Sequence, residues 1–212
     1  MKYIQKSTPP ESLETYKTHE DASFTRLPSE IKKQLKLQLI AEQGGLCCYC
    51  DDRITYDTSN IEHFLPKDIA LYPELQLEYN NLLSSCLGGQ IERQTNRGFP
   101  LSCDAKKRNR TIPISPTDPS CESQFIYDED GNIYGLTKDA QFTIQILNLN
   151  NEVIKNRRKA AIDAYIDLDL PSDDDWAGEV SYVLRRDRHG LFMPFCCAVA
   201  YYIRHFKMRA AA

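Results

Sequence analysis

Four cysteines in the central part of the chain constrain its fold more than any other feature of the sequence. Cys47 and Cys50 form a C-x-x-C pair, a spacing that lets two thiolates bind the same metal ion. Cys86 and Cys103 follow further along the chain, and the glycine-containing, polar stretch between them can loop out and leave its two ends close together. We therefore predict that Cys47, Cys50, Cys86 and Cys103 hold one structural Zn²⁺.

The sequence leaves other interpretations of its eight cysteines open. Because the first residues lack an apolar export segment, we expect a reducing, cytoplasmic compartment in which disulfides are rare. The four thiols could be unrelated, the C-x-x-C pair could be a redox couple, and Cys48 could replace one of the zinc ligands. Cys196 and Cys197 lie in an apolar segment and are predicted to be core residues, whereas Cys121 is interpreted as a bystander in a polar loop.

Length and charge exclude some classes of protein. The 212 residues have a net charge of −4, which argues against a protein that coats nucleic acid nonspecifically. The 42% of hydrophobic residues argues against a disordered chain. The longest apolar stretch, around 191–203, contains a proline and is too short to span a bilayer, so we expect no membrane partner.

One segment is basic although the chain as a whole has a negative net charge. Residues 92–110 contain six basic and two acidic side chains, a local net charge of +4, and such clusters suit contacts with phosphates. A solvated basic loop is the alternative interpretation. Because no base-reading motif is apparent, we expect little sequence specificity. The residues predicted to contact nucleic acid are Arg93, Arg97, Lys106, Lys107, Arg108 and Arg110.

The pattern of apolar residues and turn signals predicts an α+β fold with an N-terminal helix and a C-terminal helical region. Ile31, Leu35 and Leu39 recur on one face of a helix over 29–43. The other predicted elements are hairpins over 46–64 and 125–134, a turn into a short helix over 79–86, a short helix over 102–108, and helices near 150–168, 174–188 and 192–206. The predicted regions are an irregular arm (1–27), a core with the four cysteines (28–115), a hairpin with C-terminal helices (116–207) and a cloning scar (208–212).

Further sequence pieces are interleaved with the cysteines. CCYC at 47–50, IEHFLPK at 61–67, NNLLSSC at 80–86 and CDAKK at 103–107 follow one another along the chain. In this order the pieces resemble the HNH endonuclease motif, whose ββα-metal fold is often braced by four cysteines. The resemblance covers about 65 residues and implies that the 28–115 region is an HNH nuclease core.

The chemistry of such a nuclease explains the residue types. Hydrolysis of a phosphodiester needs an activated water and charge compensation at the phosphate, which a neutral imidazole and a hard divalent cation supply. Because adjacent strand residues point to opposite faces, a neighbouring Glu–His pair would share one site only at an irregular strand end. The resemblance implies that His63 is the general base and that Glu62 and Asp104 are the ligands of Mg²⁺ or Mn²⁺. It further implies that Asn81, or alternatively Asn80, orients the catalytic loop and that Lys107 contacts a phosphate.

Features outside the motif resemble those of a narrower group of HNH proteins. The chain size, the arm before CCYC, the IEHFLPK piece and a helical tail that begins ILNLN look like the compact, PtuB-like HNH subunit of Septu-type and related retron anti-phage systems. This resemblance implies a bacterial defence nuclease that acts with an ABC/SMC-like ATPase subunit. The sequence leaves DNA and RNA both open as substrates, with DNA the favoured interpretation. A retron reverse transcriptase and its RNA–DNA product are further implied partners. The alternative is a noncatalytic zinc-binding interaction module that retains the HNH scaffold.

Overall fold

A two-stranded antiparallel ribbon organises the centre of the molecule. The computed structural model describes residues 1–67 and 72–208, and its first strand, β1 (Ser59–His63), pairs with β2 (Leu82–Cys86). Successive strand residues point to opposite faces, and Leu82 and Leu83 accordingly belong to two different hydrophobic clusters. The ribbon therefore separates a small core on one side from a large core on the other.

The small core lies against the N-terminal helices. Helix α2 (Ser29–Glu42) begins and ends close to the predicted limits, and Leu35 and Leu39 on it are fully buried. The arm before it was predicted to be irregular, but it contains α1 (Glu11–Lys17). Because Leu13 is the one buried residue of α1, the arm offers no apolar repeat from which a helix could be predicted.

Two predictions in the middle of the chain were wrong. The segment 46–64 is not a hairpin: Leu46 and Arg53 form an isolated bridge, and β1 pairs instead with a strand more than twenty residues downstream. The segment 79–86 is a 3₁₀ turn (Tyr79–Asn81) followed by β2, rather than a helix. Local periodicity does not separate a buried strand from a buried helix when the apolar run is this short.

The C-terminal half follows the prediction more closely. The predicted hairpin is present as β3 (Phe125–Tyr127) and β4 (Ile133–Gly135). The short helix predicted within 102–108 is α4, and the three predicted C-terminal helices are present with shorter bounds, whereas α3 and α5 were not predicted. The helices after β2 are α3 (Glu92–Thr95), α4 (Cys103–Lys107), α5 (Lys138–Leu147), α6 (Glu152–Asp163), α7 (Asp173–Val183) and α8 (Cys196–Tyr202), the last continued by a π-helical turn (Ile203–Lys207).

The large core confirms an α+β arrangement and joins distant parts of the chain. It contains Ile4, the cysteine segment around Cys47 and α8, so it includes residues of the predicted arm, of the predicted core and of the predicted C-terminal region. Cys196 and Cys197 are buried in it, as predicted, whereas Cys121 is also buried there and is not a surface bystander. Within 1–67 and 72–208, no helix combines the length and apolar character needed to cross a membrane. The predicted cloning scar lies, apart from Met208, outside the described residues.

Candidate active site and four-cysteine centre

The four predicted zinc ligands converge on one point. Their sulfur atoms all lie within 4.8 Å of one another, with 3.9 Å between the sulfurs of Cys47 and Cys103 and 4.0 Å between those of Cys50 and Cys86. A tetrahedral Zn²⁺ with Zn–S bonds of about 2.3 Å sets its sulfurs about 3.8 Å apart. The donor set and its spacing therefore fit a zinc ion.

Tight backbone geometry brings the two halves of this four-cysteine centre together. Gly88 has a φ of +55°, and a Cβ atom there would lie 2.2 Å from the carbonyl oxygen of Ser102. The Ser102 N–H donates to the carbonyl of Gly88 over 3.0 Å, which closes the loop between Cys86 and Cys103. Cys48 is not part of the cluster in the described residues: it is buried, and its N–H donates to the carbonyl of Ser84 on β2.

Glu62 on β1 occupies a buried polar position beside the cysteines. Its Oε1 accepts hydrogen bonds from Lys107 Nζ over 2.7 Å and from the Tyr49 hydroxyl over 2.8 Å. Burial raises the pKa of Glu62 to about 8, and the Asp104 carboxyl within hydrogen-bonding reach adds to the rise, whereas Lys107 opposes it. A buried carboxyl beside a second carboxyl group disfavours its own ionised form, and a divalent cation would stabilise that form.

His63 is the last residue of β1 and lies on the other face of the ribbon. Regular pairing continues to His63, opposite Leu82, so the strand end is not irregular. Within residues 1–67 and 72–208, no hydrogen bond joins the imidazole to Glu62. His63 Nε2 lies 3.0 Å from the carbonyl oxygen of Gln76, and the ring packs edge-on against Phe24. Because a carbonyl only accepts, Nε2 carries the proton and Nδ1 carries the lone pair.

The charge state of His63 follows from its surroundings. Burial lowers the pKa of His63 to about 4; the hydrogen bond with Gln76 opposes this effect. The charge of Lys107 lowers this pKa further, and the charge of Asp104 raises it. The ring is therefore neutral at pH 7 and able to accept a proton.

Asn81 fastens the loop that follows β1. Its Oδ1 accepts the N–H of Leu65 over 2.8 Å, and its Nδ2 donates to the carbonyls of Leu65 and Leu75. Asn80 is exposed, and its backbone N–H donates to the side chain of Glu78. Of the two asparagines, Asn81 has the contacts that suit orientation of the loop after His63.

Lys107 differs from the expectation drawn from its motif position. Its side chain is fully buried, and its Nζ also donates to the carbonyl of His63 over 2.9 Å. In this conformation the ammonium contacts Glu62 and the end of β1, and a phosphate outside the protein would not reach it. The correction follows from α4, which turns Lys107 inward and Lys106 outward.

Four of the predicted nucleic-acid contacts line a common surface depression of about 800 Å³, which we call the basic depression. Arg97 is exposed but does not line it. The Arg110 guanidinium donates to the carbonyls of Lys106, Lys107 and Ile146, which holds it against the protein surface. The basic residues that line the depression are Arg93, Lys106, Arg108 and Arg110.

Comparison with known proteins decides the family. No protein-family profile matches the chain. A protein of Vibrio cholerae serotype O1 biovar El Tor, named as an HNH endonuclease of retron Vc95, is 33% identical over 144 residues, which cover 64% of this chain and 67% of that protein. The chain belongs to the HNH-type proteins of retron and Septu systems.

Two Septu proteins are further relatives of this HNH-type chain. PtuB of Bacillus thuringiensis is 31% identical over 122 residues, which cover 56% of the chain and 42% of PtuB. PtuA of Bacillus mycoides strain KBAB4 is 27% identical over 135 residues, which cover 54% of the chain and 19% of PtuA. The chain thus matches less than half of the length of each Septu protein.

One residue of the HNH-type site was not predicted. Tyr49 lies between Cys47 and Cys50, and no catalytic or binding role was predicted for it. The structure buries it completely and directs its hydroxyl to Glu62. The position of this tyrosine between two predicted metal ligands could have indicated the contact. Such a residue is expected to be buried, and a buried tyrosine hydroxyl usually has a hydrogen-bond partner.

Proposed function

We propose that this chain is a metal-dependent endonuclease that hydrolyses phosphodiester bonds in nucleic acid. The observation that carries the proposal is the carboxyl pair of Glu62 and Asp104, in which Glu62 directly precedes His63, the neutral, buried histidine that ends β1. The order of β1, β2 and α4 around this pair is the order expected of a ββα-metal core. The family relationship supports the same chemistry, since HNH nucleases are metal-dependent.

Glu62 and Asp104 suit a hard cation such as Mg²⁺ or Mn²⁺. Such ions take oxygen ligands, often one or two carboxylates with water and substrate phosphate. When bound, the ion would compensate the charge that develops on the phosphate and on the leaving oxygen. In the same proposal, Zn²⁺ held by the four cysteines braces the fold and takes no part in hydrolysis.

The protein's own groups would carry the proton transfer and the alignment. His63 lies on the opposite face of β1 from Glu62, but it ends the strand, and there its Nδ1 would accept a proton from the attacking water. The hydrogen bond from Nε2 to the carbonyl of Gln76 fixes the ring and its tautomer. Asn81 would hold the loop after His63 through both backbone groups of Leu65. Lys107 would keep the Glu62 carboxylate oriented rather than contact the phosphate.

The basic depression is the proposed contact for the phosphates of the substrate. Lys106 and Arg108 are exposed on it, and α4 connects them directly to Asp104 and Lys107. We propose DNA as the substrate, with contacts to the backbone that carry no sequence information. Arg97 remains a proposed contact outside the depression.

We further propose that the protein is the nuclease effector of an anti-phage defence system. Its relatives carry the names of retron and Septu proteins, and an ABC/SMC-like ATPase subunit is the proposed partner, with a retron reverse transcriptase and its RNA–DNA product as further partners. The cytoplasm is the proposed location, because thiolates that bind zinc need a reducing compartment.

Cleavage assays test the proposal. The zinc-loaded chain, alone and with the proposed ATPase partner, would be incubated with supercoiled plasmid and structured RNA in Mg²⁺ or Mn²⁺. We expect His63→Ala to reduce cleavage at least about 100-fold, and His189→Ala, at an exposed histidine outside the site, to leave it unchanged. Identical behaviour of wild type and His63→Ala in every condition would favour the noncatalytic zinc-binding module.

A further inference from the structure

The hydroxyl of Tyr49 connects the four-cysteine centre to the carboxyl pair. Tyr49 is 0% exposed and lies in sequence between two of the cysteines. Its hydroxyl donates to Glu62 Oε1 over 2.8 Å. The Tyr49 side chain therefore connects the backbone of the four-cysteine centre to the Oε1 atom of Glu62 in the carboxyl pair.

The two donors on Glu62 act on the same oxygen. Lys107 Nζ lies 2.7 Å from Oε1, which the Tyr49 hydroxyl also contacts. A carboxylate oxygen has two lone-pair sites, so Oε1 is fully engaged by these two donors. The second oxygen, Oε2, is left for a cation and for the neighbouring Asp104 carboxyl, and rotation of the carboxylate is restricted.

The two residues before Tyr49 are fixed to the ribbon that carries Glu62. The N–H of Cys48 donates to the carbonyl of Ser84 on β2 over 3.1 Å, and the N–H of Cys86 donates to Cys47 Sγ over 3.3 Å. The turn is closed by the N–H of Asp51, which donates to the carbonyl of Cys47. Metal binding by the cysteines would lock this turn, and with it the position of the Tyr49 ring.

We propose that Tyr49 is a positioning residue through which the four-cysteine centre orients Glu62 for a divalent cation. The inference rests on the proposed function, because it requires that Glu62 and Asp104 hold that ion. Groups that hydrogen-bond a metal ligand from outside the coordination sphere commonly change metal affinity 10–100-fold when they are removed. The Tyr49 hydroxyl occupies such a position toward Glu62.

A matched pair of variants separates this role from ordinary packing. Tyr49→Phe keeps the buried ring and removes only the hydroxyl. Tyr79→Phe is the control, since Tyr79 is also buried and its hydroxyl also donates to a glutamate, Glu42, over 3.0 Å. Both variants remove one hydrogen bond to a carboxylate, but only Tyr49→Phe removes a bond to the proposed cation ligand.

The measurement is Mn²⁺ affinity, followed by electron paramagnetic resonance of free Mn²⁺ in the zinc-loaded full chain. We expect a Mn²⁺ site in the wild type that is lost in Glu62→Gln, a Kd about tenfold weaker in Tyr49→Phe, and no change in Tyr79→Phe. Zinc content should be equal in all four proteins, so that loss of the four-cysteine centre does not explain the result.

The outcomes distinguish the two proposals. Glu62-dependent Mn²⁺ binding with equal affinity in Tyr49→Phe and wild type would overturn the inference and leave the proposed function intact. No Glu62-dependent binding in the wild type would overturn both. If Tyr49→Phe loses zinc or does not fold, 3-fluorotyrosine placed at position 49 alone retains the hydroxyl. We then expect its fluorine resonance to shift on addition of Mg²⁺, and an unchanged resonance would reject the coupling.

Discussion

The ammonium of Lys107 lies 2.7 Å from Glu62 Oε1, and both side chains are buried. The lysine comes from α4 and the glutamate from β1, so the ion pair joins the helix to the ribbon. It also changes the role expected for Lys107, because the ammonium is held under the carboxyl pair and away from solvent. Several measurable properties depend on this arrangement and on the contacts around it.

Removal of Lys107 should destabilise the fold. Lys107→Met removes the buried ammonium that donates to Glu62 and to the carbonyl of His63, and each buried acceptor left unpaired costs about 1–3 kcal/mol in the free energy of unfolding. Urea denaturation measures this loss. The matched control is Lys106→Met, one residue away but exposed, for which a change within about 0.5 kcal/mol is expected. Equal losses in the two variants would contradict the structural role of Lys107.

The four-cysteine centre should require each of its ligands but not Cys48. Cys86→Ser should abolish zinc binding and unfold at least the region around the ribbon, because structural zinc contributes about 10 kcal/mol or more to folding. Cys48→Ala should retain zinc, since Cys48 lies outside the cluster. Metal analysis and thermal unfolding measure both effects. Retention of zinc and an unchanged Tm in Cys86→Ser would reject the site.

The two neighbouring asparagines should behave differently. Asn81→Ala removes three side-chain hydrogen bonds to Leu65 and Leu75, and the unpaired backbone groups should cost about 1–3 kcal/mol. Asn80→Ala, at an exposed position, should cost about 0.5 kcal/mol or less. Amide hydrogen exchange at Leu65 should accelerate only in Asn81→Ala. If Leu65 exchanges equally in both variants, Asn81 does not fasten this loop.

The basic depression should contribute to affinity for nucleic acid in a salt-dependent way. A Lys106→Ala and Arg108→Ala double variant should weaken binding of duplex DNA uniformly across sequences, and the slope of log K against log salt should fall by about 1 for each lost phosphate contact. The control replaces two exposed lysines elsewhere, Lys33 and Lys138, by alanine. Fluorescence anisotropy over a salt series gives both slopes. An equal slope change in the control would assign the effect to net charge alone.

Residue type and order along the chain were enough to predict some features. The four cysteines were predicted as one cluster from their spacing and from the looping capacity of the segment before Cys103, and their sulfurs do converge. Helix α2 and the hairpin of β3 and β4 were predicted because their signals are local: an apolar repeat of Leu35 and Leu39, and an Asp-Gly turn between apolar arms. Local sequence patterns predict an element correctly when the apolar face that they mark is the face that the folded protein buries.

Other features depended on contacts between distant segments. β1 and β2 pair across a long separation, so neither the ribbon nor the opposite placement of Glu62 and His63 followed from local patterns. The inward turn of Lys107 and the hydrogen bond from Tyr49 to Glu62 depend on how α4 and the cysteine turn pack against that ribbon. The sequence by itself determined which chemical groups are available and, through cysteine spacing, which can share a metal. Only the tertiary structure decided which of them face one another, because burial and long-range pairing select the direction of each side chain.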